Sequence, residues 1–147
     1  MKANWGARLL AALLGTLLST CTQLSVDGPM MPEAEGGNLV LYVSNQSFAL
    51  DPVDIKVYLD GVLAVNQDFY VKSQHNWIKF QFQLRGGTHE IRAVTKAGET
   101  QKASFFDMDK QRWCVVNFWY YPEASRGAEP TPTKFTIWVY DQPVGFQ

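Results

Sequence analysis

Acid–base, nucleophilic or metal chemistry in this chain would have to begin with two histidines, His75 and His89, two cysteines, Cys21 and Cys114, and six aspartates set near turns. Their spacing assembles none of it. No H-x-x-H, H-E-x-x-H or C-x-x-C pairing places metal ligands on one element. No G-x-S-x-G elbow, phosphate loop or dinucleotide fingerprint occurs. Gly86-Gly87 opens a strand, so it cannot present a helix terminus to a phosphate. His89 alternates with Ile91 and is expected to face solvent beside a turn. Asp51, Asp54, Asp60, Asp68, Asp107 and Asp109 read as turn caps. Asp107-Met108-Asp109 lacks the rest of a cation loop. No catalytic residue, metal or cofactor is expected, and the chain reads as non-enzymatic.

Binding chemistry is better supplied. Aromatic residues make up 14% of the chain, and several large rings fall on alternating positions of the same segments. Trp77 shares a face with Lys79, Gln81 and Gln83. Trp113, Trp119 and Tyr121 share one in the segment 112–121, as do Trp138 and Tyr140 in the last segment. If these segments are neighbours, Trp77, Trp113, Trp119, Tyr121, Trp138 and Tyr140 form an aromatic platform. Rings of this kind stack on the apolar faces of sugars, with Lys79, Gln81, Gln83 and Asn117 available to hydroxyls. They serve equally well in the core of a protein interface. The competing reading puts the same rings inside the sandwich, as its second layer.

What positions these residues is an all-β domain. From Asn38 onward the apolar period is close to two, with turn residues at short intervals. Leu39, Leu41 and Val43 alternate against Val40 and Tyr42. Asp54–Val65 is a hairpin around Asp60-Gly61, a pair suited to a type I′ turn because both positions must take positive φ. Strands follow over 77–84, 88–95, the segment TQKASFF, 112–121 and KFTIWVYD, with 122–132 a loop rich in Pro, Gly and Glu. The expectation is an antiparallel β-sandwich of about seven or eight strands. Within 112–121, Cys114 keeps phase with Val116 and Phe118, which makes it a small buried apolar residue if that face is the core.

Composition and charge narrow the partners. The chain has 147 residues, a formal net charge of −1, 46% hydrophobic and 18% charged residues. Loss of Lys2 and Arg8 with residues 1–20 would take the charge to −3. A mildly acidic domain without a basic run argues against nucleic acid.

The N-terminus addresses the protein. Lys2 and Arg8 precede an apolar stretch from Leu9 to Leu18. It is shorter than the roughly 20 apolar residues that cross a bilayer, and reads as a signal peptide. Leu18-Ser19-Thr20-Cys21 resembles the lipobox of bacterial lipoproteins, with Thr20 where Gly, Ala or Ser is usual. That resemblance implies cleavage before Cys21 and a lipid on its sulfur. The alternatives are free secretion, with Cys21 a thiol able to pair with Cys114. The expected layout is a signal peptide over 1–20, a lipidated cysteine and flexible linker over 21–37, and the sandwich over 38–147. Such a protein sits on the outer side of a membrane, in the cell envelope, and meets a protein or carbohydrate there.

The hairpin Ile55–Val65 and the later Gly86-Gly87-Thr88-His89-Glu90-Ile91 also resemble small bacterial surface domains of PEGA-like or immunoglobulin-like build. That likeness implies an extracytoplasmic sandwich used for attachment or scaffolding.

Overall fold

The computed structural model describes residues 28–71, 76–123 and 129–146. Eight strands form: β1 (Leu39–Asn45), β2 (Val53–Leu59), β3 (Val62–Phe69), β4 (Ile78–Phe82), β5 (Gly87–Thr95), β6 (Thr100–Met108), β7 (Arg112–Tyr121) and β8 (Thr131–Tyr140). They make two four-stranded sheets, β4-β1-β7-β8 and β3-β2-β5-β6, called here the A and B sheets. The two-sheet sandwich expected from the alternating pattern is what the chain adopts. Among the described residues no helix is long and apolar enough to cross a membrane.

Alternation assigns each strand an inner face. Leu39, Leu41 and Val43 of β1, Cys114, Val116 and Phe118 of β7, and Phe135 and Ile137 of β8 point inward from the A sheet. Val53, Ile55, Val57 and Leu59 of β2 meet them from the B sheet, with Ile91, Ala93 and Phe106. Phe69, Phe82 and Phe118 are the largest fully buried side chains. Truncating one of these rings would cost about 3–5 kcal/mol.

The pattern could not say which strands are neighbours. β1 lies beside β7 in parallel, Leu39 opposite Arg112 through Asn45 opposite Phe118, while the other ladders are antiparallel. The first strand therefore sits between the fourth and the seventh. An immunoglobulin sandwich instead places its first strand beside its second. The difference arises because a period of two specifies a face but not a partner.

Local turn chemistry is as expected at the β2–β3 hairpin. Asp60 and Gly61 take φ of 50° and 78°. The register slips by one residue after Val57, with Tyr58 opposite Leu63, so Ala64 is the extra residue of a bulge. β8 begins at Thr131, inside the segment expected to be loop, and contains Pro132. Proline is tolerated there because β8 is an edge strand with one ladder side unpaired.

The domain boundary also moves. Met31–Gly37, assigned from sequence to the flexible linker, lie on the sandwich. The Met31 amide donates to the Leu63 carbonyl at 2.7 Å and the Ala34 amide to Gln81 at 2.9 Å. The segment thus bridges the edge strands β3 and β4, with Met31 packed on the core. A side chain at Gly37 would collide with the Phe82 carbonyl, so the close approach requires glycine. No strand period marks this segment, which hid it in the sequence.

Candidate functional site

The outward positions of the A sheet form the candidate site, because antiparallel and parallel neighbours in register share a face. One row runs Gln81, Val40, Trp113, Tyr140; the next runs Lys79, Tyr42, Val115, Trp138; a third holds Ser44, Asn117 and Thr136. Trp119 and Lys134 lie opposite each other in the row beyond. The structure places these rings on one sheet face and turns them outward, so the competing reading, which put them inside the sandwich, does not hold. All four tryptophans outside residues 1–27 sit on this face.

They are not equally open. Trp138 and Tyr140 on β8 are 58% and 42% exposed, while Trp77, Trp113, Trp119 and Tyr121 are half-buried. Several polar ring atoms are already engaged. Trp77 Nε1 donates to Asn117 Oδ1 at 2.9 Å, and Trp119 Nε1 to Thr136 Oγ1 at 2.9 Å. Tyr121 hydroxyl donates to the Gln46 carbonyl, which draws Tyr121 to the end of the sheet where the β7–β8 register shifts. Of the polar side chains expected to serve hydroxyls, Asn117 is buried beneath Trp77 and Gln83 donates to Leu84. Lys79 remains exposed.

Sequence reasoning missed four contributors. Tyr42 and the buried pair Val40 and Val115, 4% and 5% exposed, form the floor. Phe146, beyond the last strand, stacks on Trp77 with centroids 4.2 Å apart and planes 16° apart. It meets Tyr42 edge-on at 4.9 Å. Val40 and Val115 had a signal, being apolar residues at outward positions of central strands. Phe146 had none, because it lies in no periodic segment.

The other candidates resolve into structure. His89, expected to face solvent, has a side chain only 11% exposed. Its Nδ1 lies 2.6 Å from Asp60 Oδ2 and its Nε2 2.9 Å from the Arg85 carbonyl. Asp60 Oδ1 accepts from the Glu90 amide. Both partners of the ring are acceptors, so the arrangement favours the imidazolium and leaves no free nitrogen to act as a base. Burial works against that charge, but the Asp60 and Arg85 bonds and the Asp60 charge outweigh it, and the pKa is raised above 6.5. The pair is a clamp on the β2–β3 turn. His75 lies outside the described residues.

Asp51, Asp54 and Asp60 cap turns and loops, as expected. Asp54 accepts from Thr95 Oγ1, the Lys96 amide and the Ala97 amide. Its pKa is lowered because these bonds outweigh an opposing burial effect. Asp51 caps Val71, and Asp107 takes the Thr88 hydroxyl. Among the described residues no group of three or more His, Cys, Asp or Glu side chains is placed to hold a metal. Asn45, in the Asn45-Gln46-Ser47 sequon, is 1% exposed and its Nδ2 donates to Leu50 and Phe69 carbonyls.

Cys114 is fully buried and unpaired, its thiol pushed up to about 12 by burial. Such a thiol is inert. Pairing it with Cys21, which lies outside the described residues, would require opening the core.

No family model, curated protein or solved structure matches the chain.

Proposed function

We propose that this protein is a non-enzymatic cell-envelope lipoprotein, held by a lipid on Cys21, that presents the outer face of its A sheet to a protein partner. The observation that carries the binding half is the convergence of Trp77, Trp113, Trp119, Trp138 and Tyr140 on one face of one sheet. Trp and Tyr are enriched at the centres of protein interfaces, because they combine large apolar area with a polar tip. Trp138 and Tyr140 are the open anchors.

A carbohydrate module would use the same face, and the hydrogen bonding argues against it. The indole donors of Trp77 and Trp119 and the Tyr121 hydroxyl are spent within the protein. A protein partner needs the ring surface more than these donors.

The anchoring half rests on residues 1–21. The inert position of Cys114 supports it, since it leaves the Cys21 sulfur without a partner among the described residues. Because Met31 is docked on β3, at most about ten residues separate the lipidated cysteine from the domain. At up to about 3.6 Å per residue that holds the domain within about 36 Å of the bilayer. One long acyl chain binds weakly, and the two or three of a lipoprotein anchor stably.

The test has two arms. Mass spectrometry of the mature N-terminus should show an acylated Cys21, and Cys21→Ser should release the protein from the membrane fraction. An unmodified terminus elsewhere would replace anchoring with free secretion. A glycan array should give no signal. Glycan binding that disappears in Trp138→Ala would replace the protein partner with a carbohydrate.

A further inference from the structure

The tail after β8 does something that the strands do not require. From Tyr140 it leaves the edge of the A sheet and ends with Phe146 against Trp77 and Tyr42, on the far side of β7. Crossing three strand spacings of about 4.8 Å needs about 14 Å, well within reach of six residues. At its root Asp141 bonds Lys110 at 3.1 Å, an exposed pair of small energetic weight. Beyond that, Val144 is half-buried and Phe146 keeps 39% of its surface exposed. Its ring lies flat on one aromatic wall and edge-on to another, an arrangement the π quadrupoles favour.

We propose that Phe146 is an internal stand-in for a partner's aromatic side chain. The site takes an extended, acidic segment of another protein whose ring displaces Phe146 from between Trp77 and Tyr42. This rests on the reading of the face as protein-binding and names the chemistry of its partner.

The acidic character follows from charge. The outward positions of the four A-sheet strands carry two charged side chains, Lys79 and Lys134, and no carboxylate. Lys79 stands opposite Tyr42, at the rim of the ring slot. The chain as a whole has the opposite sign, with a net charge of −1. Lys79, a positive charge beside an aromatic slot on a face without carboxylates, favours a carboxylate next to the entering ring and speeds its encounter.

Self-occupancy sets the affinity. A tethered ring competes at a high effective concentration. A partner therefore binds with an apparent Kd equal to its intrinsic Kd divided by the fraction of open face. If the slot is closed in nine molecules of ten, removing Phe146 tightens binding about tenfold.

The experiment is calorimetric titration of the full mature chain with two synthetic blocked pentapeptides, Asp-Glu-Phe-Glu-Asp and Lys-Lys-Phe-Lys-Lys. Phe146→Ala should bind the acidic peptide about tenfold more tightly than the wild type. It should bind the basic peptide at least about tenfold more weakly than the acidic one, and Lys79→Glu should reverse that preference. Phe146 lies outside the core cluster. Deletion of residues 143–147 serves as a second variant and should reproduce the gain. Equal affinity of the wild type and both tail variants would overturn the stand-in role, and equal binding of the two peptides would overturn the acidic partner. In either case peptide binding lost in Trp138→Ala would leave the protein-binding reading standing. No peptide binding by any variant overturns the inference, and a Trp138-dependent glycan signal would overturn the reading beneath it.

Discussion

The two sheets share a core but turn unlike faces to the outside. On the B sheet the outward residues of the central strands are Asp54, Lys56, Tyr58, Thr88, Glu90, Arg92 and Val94. Charges of both signs are interspersed, and Arg92 is held by its own neighbours. Its guanidinium lies 4.3 Å over the Tyr58 ring and 3.8 Å from Glu90. On the A sheet the corresponding central positions include Val40, Tyr42, Ser44, Trp113, Val115 and Asn117, all buried or half-buried beneath rings and the tail. The B sheet is thus solvated on one side, the usual state of an antiparallel sheet. The A sheet is covered on both sides, and its second cover is made of aromatic side chains and the segment after β8. A face that is half covered by its own tail is suited to exchange one cover for another.

The sharpest way to break this contrast is to place a carboxylate at equivalent outward positions. Val115→Asp should destabilise the domain by about 3 kcal/mol, because the charge enters a dehydrated layer without a partner. Val94→Asp on the B sheet should cost less than about 1 kcal/mol. Urea denaturation of both variants measures the gap, and equal losses would mean that the A-sheet cover is not dry.

A gentler probe is Trp77→Phe, which keeps a ring against Phe146 and deletes the indole N–H. Asn117, 9% exposed, would lose its donor. The expected loss is about 1–2 kcal/mol by thermal or chemical denaturation. No change would show that Asn117 finds water and that this part of the cover is open.

The smallest effect lies at the lower end of the B sheet, in the His89–Asp60 clamp. The His89 pKa is raised in the folded state, so its contribution is complete below 6.5 and fades as pH rises through the folded value. Asp60 is lowered from 3.8, the His89 and Glu90 bonds outweighing an opposing burial effect. Its contribution holds above 3.8 and fades as pH falls through the lowered value. Wild-type urea midpoints should therefore drop as pH rises from 6.5 through the raised folded value of His89. His89→Asn should flatten that drop. Parallel curves for the two proteins would assign the pH dependence elsewhere.

How much of this could be read from the chain depends on the kind of signal. Cys114, Val116 and Phe118 alternate, so their place in the core was legible. Asp60-Gly61 announced its turn, because few other residues accept positive φ. The six platform rings were legible as a set, but not their unequal exposure. Trp138 and Tyr140 stay open because β8 is an edge, while Trp77 is covered because a tail without periodicity reaches it. His89 was misjudged because its partner Asp60 comes from another hairpin, 29 residues away. Met31–Gly37 passed for linker because their bonds run to edge strands that the sequence does not identify as edges.

The sequence by itself determined that the domain is an all-β sandwich and which residues of each strand share a face, while leaving open whether the aromatic face is the inner or the outer one. These follow from a period of two, a property of a single strand that needs no knowledge of its neighbours. The tertiary structure alone decided that β1 lies parallel to β7, that the rings of β7 and β8 adjoin Trp77 across β1, and that Phe146 closes the slot beside Tyr42. Those depend on long-range pairing and on where the segment after β8 settles, and no local pattern encodes either.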